Sequence, residues 1–176
     1  MSKLRLATVW LDGCSGCHMS LLDMDERLLE IAELVDLVYS PLVDVKEFPE
    51  AVDVTLVEGA VSSQDDLRRI VEIRDRTRLL VALGDCAVTA NVPSMRNPFG
   101  TQATLQRAYI ENTTIQAQVP CEEVPQLLDR VFPIQKFVKV DLFMPGCPPS
   151  ADTIHYALSE LVAGRIPEFS SPLRFG

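Results

Sequence analysis

The 176-residue chain is short of positive charge: 16 lysines and arginines face 25 aspartates and glutamates, giving a net charge of −9. That excess repels a phosphate backbone and an anionic bilayer surface, so nucleic acid is not an expected partner. No apolar run approaches the length of a bilayer span, and no membrane span is expected. Residues Met1 to Arg5 pass directly into a short apolar stretch ending at Asp12, without a signal-peptide cleavage pattern, which points to the cytoplasm. Internal repeats and low-complexity tracts are lacking. The Gly-x-Gly-x-x-Gly turn after the first strand and the Gly-x-x-x-x-Gly-Lys-Ser/Thr loop are also missing, which removes the usual support for nucleotide chemistry.

What the chain does have is apolar content, 47% of its residues, enough to bury one sizeable core at this length. Residues 1–176 are therefore expected to form a single domain. Five cysteines are present. In a reducing compartment they suggest metal or redox chemistry rather than disulfides, and the odd count opposes a fully paired framework.

Hydrophobic patterning predicts an alternation of strands and helices. Leu4 to Leu11 reads as a buried strand closed by Asp12 and Gly13. A helix should follow, with capping-box spacing at Ser20 and Asp23 and an inward face of Leu21, Met24, Leu28, Ile31 and Val35. Val35 to Tyr39 and Val52 to Val57 read as the next two strands. Ser62 with Asp65 should start a second helix that turns Leu67, Ile70 and Val71 inward. The carboxylates of Asp65, Asp66 and the Asp23 to Glu26 stretch read as solvated helix faces favoured by the dipole. Arg78 to Leu83 is a fourth strand stopped by Gly84 and Asp85. Residues 91–120 are irregular, with at most one short helix around Thr104 to Tyr109, and a stretch of that kind is expected to cover a site or face a partner. A helix near Val124 to Val131, a fifth strand over Phe137 to Phe143 and a final helix capped by Ser150 complete the pattern. Such alternation predicts an α/β fold of the flavodoxin-like group, a mostly parallel sheet with helices on both faces.

Open parallel sheets build their sites beyond the carboxyl ends of the strands, and four cysteines fall there. Cys14 and Cys17 follow the first strand, Cys86 the fourth and Cys147 the fifth, so three loops should bring four thiols together. Gly13, Gly16, Gly84 and Gly146 beside them leave room for amides to approach inorganic sulfide. Four thiolates suit a [4Fe–4S] cluster or a tetrahedral zinc. One Cys-x-x-Cys pair with two isolated cysteines, on a chain with an adequate core, favours iron–sulfur. A plainer alternative makes Cys86 and Cys147 buried packing residues and leaves Cys14 and Cys17 as a thiol–disulfide exchanger. Cys121 sits beside Glu122 and Glu123 at no strand end and is expected not to be a ligand. His18 is expected to hydrogen-bond near a helix start rather than to line the site. Glu58, after the third strand, should point to the same edge, as a buried proton relay or as an acceptor for loop amides.

Leu11 to Cys17, Val57 to Ala60, Gly84 to Ala87 and Met144 to Pro149 together resemble the small subunit of nickel–iron hydrogenases. Within that family the sequence is similar to the short small subunit of cytoplasmic bidirectional, NAD(P)-reducing enzymes, with Asn91 to Asn97 adding to the match. The resemblance spans about residues 5 to 163. It implies that Cys14, Cys17, Cys86 and Cys147 hold the proximal [4Fe–4S] cluster beside a nickel–iron centre in a separate large subunit. Electrons would pass on to flavin and iron–sulfur diaphorase subunits, and the chain would not be active alone. Exported relatives carry a twin-arginine signal and a C-terminal region with further clusters, which this sequence lacks. Many relatives have Glu where Gly13 stands. Some members of the class hold a flavin, FMN, in this domain, though the sequence shows no motif for one. The spaced Cys14 and Cys17 separate the chain from the respiratory complex I relative, which has adjacent cysteines. The small subunit of a coenzyme F420-linked hydrogenase is the nearer alternative.

Overall fold

A computed structural model describes residues 3–169. Five parallel strands form the main sheet in the order β2-β1-β3-β5-β7, where β1 is Leu4–Trp10, β2 Val35–Tyr39, β3 Val52–Glu58, β5 Thr77–Leu83 and β7 Leu142–Met144. Counting only these strands, this is the flavodoxin-like order, with the direction of winding reversed between β1 and β3. Their near-continuous apolar runs follow from burial on both faces. On one face Leu6, Val54, Leu56, Val81 and Leu83 pack against helices α1 (Gly16–Leu22), α2 (Arg27–Leu34) and α6 (Ala151–Val162). The alternate residues Ala7, Val9, Val57, Leu80 and Ala82 pack against Ile70 and Ile73 of α3 (Gln64–Arg76). The expected architecture is therefore the observed one.

Several boundaries differ from the sequence expectation. The first helix is two: Asp25 takes a left-handed φ of 51°, which breaks the turn between α1 and α2. Ser20 consequently lies inside α1 and caps nothing; its hydroxyl donates to Pro149 O at 2.5 Å. Asp23, Asp25 and Glu26 lie exposed in the turn that leads into α2, with Glu26 at its N-cap, so these carboxylates stand at a helix start as expected. The capping box of α3 is Ser63 with Asp66, one residue later than Ser62 with Asp65. Asp66 is thus a partly buried cap, while Asp65 pairs outward with Arg68 at 2.8 Å.

The expected helix near Val124 to Val131 is instead strand β6 (Leu127–Phe132), antiparallel to β4 (Val61–Ser63). Its backbone groups are claimed from outside: Asn97 exchanges bonds of 2.8 and 2.9 Å with Val131, and the Arg96 guanidinium reaches Leu128 O at 2.9 Å. Tertiary partners override the helical spacing. The fifth strand is also shorter than Phe137 to Phe143, because Asp141 Oδ2 takes the Leu80 N–H at 2.9 Å and Ile134–Lys136 form a 3₁₀ turn. Residues 91–120 hold more helix than the one short piece expected around Thr104 to Tyr109: a 3₁₀ turn Val92–Arg96 and helix α5 (Thr101–Gln106), which continues into a π turn Arg107–Glu111. Ser150 caps α6 through Thr153 N–H at 3.2 Å. Among the described residues no helix is long and apolar enough to cross a membrane.

Candidate cofactor site

The carboxyl edge of the sheet is tied together by hydrogen bonds between loops. Leu11 N–H donates to Glu58 O at 2.9 Å, and Asp12 and Ala60 exchange bonds of 3.1 and 2.8 Å, so the chain leaving β1 is clamped to the chain leaving β3. Close approach requires Gly59 here: its φ is 93°, and a Cβ would lie 2.8 Å from Leu11 C. From this clamp the chain turns through Cys14 and Ser15 into α1, which carries Cys17. Cys86 lies in the first turn of α4 (Gly84–Thr89), directly after β5, and Cys147 follows β7.

A cavity of about 230 Å³ opens at this edge, lined by Cys14, Cys86 and Cys147 with Gly13, Val92 and Pro93. Cys17 is buried at 7% exposure. Its sulfur lies against Gly84, where a Cβ would overlap Cys17 Sγ; a Cβ on Gly16 would stand 3.2 Å from Cys14 Sγ. The glycines are room for sulfur. Burial pushes the Cys17 thiol far up, with Glu58 and the other three thiols adding to the effect. Burial likewise raises Cys86 to about 11, reinforced by Cys14 and Cys147 and opposed by the Val92 N–H. Thiols so placed resist ionisation because burial strips their solvent and, secondly, because each thiolate would face the others; a cationic metal relieves both. Among the described residues no three His, Cys, Asp or Glu side chains close on a position for a single metal ion. A tetrahedral zinc needs all of its thiolates about 2.3 Å from one atom, whereas a cluster spreads them over several irons. The donor set, four thiols from three loops, is of the kind that holds such a cluster.

Glu58 is 1% exposed and His18 3%. Glu58 Oε2 accepts the His18 N–H at 3.0 Å and pairs with His18 Nδ1. The His18 side chain is thus turned into the fold onto a carboxyl group, while its Nε2 is buried with no hydrogen-bond partner among the described residues. Cys121 is exposed and lines a different cavity, of about 740 Å³, with Thr101, Leu105 and Tyr109. Two contacts were not read from the sequence. Ser20 ties α1 to the Cys147 loop, and buried Asp85 ties the Cys86 loop to it. An acid directly before Cys86, at the end of an apolar strand, was the available signal for the second; nothing local marks the first.

A doubly wound parallel sheet whose carboxyl edge gathers four thiols defines a thiol-rich α/β protein. Comparison with known proteins narrows the class. Residues 14–161 match the family described as NADH ubiquinone oxidoreductase, 20 Kd subunit. The delta subunit of the NAD-reducing hydrogenase HoxS of Cupriavidus necator is 42% identical over 93% of this chain and 80% of its own length. A vhu subunit of the F420-non-reducing hydrogenase of Methanocaldococcus jannaschii is 37% identical, over 97% of this chain but 60% of its own. In the crystal structure of an NAD+-reducing [NiFe]-hydrogenase in the H2-reduced state, one chain superposes with a TM-score of 0.94 at 39% identity, covering 99% of this chain and 100% of that one. The chain belongs to the NADH ubiquinone oxidoreductase 20 Kd subunit family, among its hydrogenase small subunits.

Proposed function

We propose that the chain is the electron-transfer small subunit of an NAD(P)-reducing nickel–iron hydrogenase, with Cys14, Cys17, Cys86 and Cys147 as the four ligands of one proximal [4Fe–4S] cluster. The observation that carries this reading is the gathering of three of these thiols around one cavity, with the fourth buried against Gly84 behind it. When bound, the cluster supplies reversible one-electron storage. The chain's own residues hold the thiolates, keep water from Cys17 and Cys86, and leave Cys14 and Cys147 at the exposed rim. Cluster burial and hydrogen bonding to sulfur are the means by which such a scaffold sets a potential.

The partners in this reading are a large subunit with the nickel–iron centre, and flavin and iron–sulfur diaphorase subunits that reduce NAD(P) in the cytoplasm. Val92 and Pro93 line the cysteine cavity, and Val92, Met95 and Phe99 are exposed at 58%, 69% and 75%. An apolar rim of this kind beside the thiols suits a covering subunit. The 42% identity to an NAD-reducing relative, against 32% to the gamma subunit of the coenzyme F420 hydrogenase of Methanosarcina barkeri, favours nicotinamide over F420 as the final acceptor. Glu58 holds the start of α1 in place by accepting the His18 N–H; proton carriage is the second role open to it.

Co-expression with the candidate large and diaphorase subunits tests the reading. The expected result is a brown complex with about four irons on this chain, hydrogen-dependent NAD(P) reduction, and flavin confined to the diaphorase. A colourless chain holding stoichiometric zinc, or hydrogen turnover by this chain alone, would overturn it.

A further inference from the structure

Cys86 and Cys147 occupy matching places on neighbouring strands. β5 and β7 run parallel with Leu83 opposite Met144, and each cysteine comes three residues beyond that pair. Past the end of the ladder the two chains keep exchanging hydrogen bonds, now between Asp85 and Gly146. Asp85 N–H donates to Gly146 O at 2.9 Å, and Gly146 N–H donates back to Asp85 Oδ1 at 2.6 Å. The second acceptor is a side chain because α4 begins here and turns the Asp85 carbonyl toward the Thr89 hydroxyl, 2.9 Å away. Gly146 has little freedom to adjust: its φ is 140°, and a Cβ would lie 2.7 Å from Pro149 N. Asp85 itself is 3% exposed, one residue from Cys86.

We propose that Asp85 is a positioning residue: by accepting the Gly146 N–H on its side chain it fixes the spacing of Cys86 and Cys147, and with it the geometry of the cluster they hold. The proposal rests on the cluster reading above. The Asp85 oxygen occupies the Gly146 N–H, which would otherwise lose that acceptor in a buried position. Asp85→Asn keeps an acceptor for Gly146 N–H, and Asp85→Leu keeps similar bulk without one.

The experiment uses the full chain purified with its large subunit, with iron and acid-labile sulfide analysis and electron paramagnetic resonance of the reduced cluster. Asp85→Asn is expected to keep the sulfide, about four cluster irons and the native line shape. Asp85→Leu is expected to lose cluster iron and sulfide or to change the line shape, while circular dichroism shows the sheet and helices intact. Two results would overturn the proposal: Asp85→Asn losing its cluster although the acceptor remains, or Asp85→Leu holding sulfide, iron and line shape like the unsubstituted chain. Absence of labile sulfide in the unsubstituted complex would instead remove the cluster reading, and it is recognised before any variant is made.

Discussion

Gly84 and Gly100 have the same backbone angle, φ 81°, but very different surroundings. A Cβ on Gly84 would overlap Cys17 Sγ and lie 3.4 Å from Gly146 O, whereas one on Gly100 would meet nothing within 4 Å. Gly100, with ψ 158°, lies in a region almost closed to other residues, so Gly100→Ala carries only the backbone cost of about 1–3 kcal/mol. Gly84→Ala carries a positive-φ cost of about that size and overpacking of about 1–3 kcal/mol, for a total of about 2–6 kcal/mol. Against a domain stability of about 5–15 kcal/mol, the second is a serious loss. At this chain length 1 kcal/mol moves Tm by about 2–4 °C, so Gly100→Ala should lower it by about 2–12 °C and Gly84→Ala by about 4–24 °C. Thermal unfolding followed by circular dichroism reads this difference, and iron analysis reads its local consequence. Since the displaced atom is a proposed ligand sulfur, Gly84→Ala should also lose iron that Gly100→Ala retains. Equal melting temperatures for the two variants, or a full iron complement in Gly84→Ala, would refute the reasoning.

Single alanine substitutions should divide the five cysteines, with iron lost from Cys14, Cys17, Cys86 and Cys147 variants and retained in Cys121→Ala; iron analysis of each purified variant decides. Glu58→Gln keeps an acceptor for His18 N–H, so a purely shape-fixing role predicts a normal cluster and normal hydrogen turnover, whereas impaired turnover in an assembled complex would assign Glu58 to proton carriage. Burial opposes the charge on Asp141, but the Leu80 N–H and the Arg74 guanidinium outweigh it and hold the carboxyl below its ordinary range. A depressed folded pKa means that the stabilisation is present above the unfolded value and fades as pH falls through the folded one. Asp141→Asn should therefore cost about 1–3 kcal/mol at neutral pH in urea unfolding, with the gap closing below about pH 4; a gap independent of pH would contradict this.

The sequence by itself determined the strand and helix alternation, because strands buried on two faces must be apolar throughout and helices buried on one face must repeat at helical spacing. It also determined which cysteines could meet. Cys14, Cys17, Cys86 and Cys147 each follow a strand end, and in a parallel sheet those ends lie on one edge, so the gathering is a consequence of topology. Cys121, at no strand end, lies elsewhere. The tertiary structure decided what local patterns could not. The helical spacing around Val124 to Val131 gave way to β6 because Asn97 and Arg96, distant in sequence, claimed its backbone groups. Ser20 had the local spacing of a cap but became a tie to Pro149, and Asp85 became the acceptor for Gly146 N–H. His18 turned inward onto Glu58 across a separation of 40 residues. Periodicity reports which side of an element is buried, since every residue of that element votes on it. The partner of a single polar side chain depends on one contact between remote segments, and only the folded chain brings those segments together.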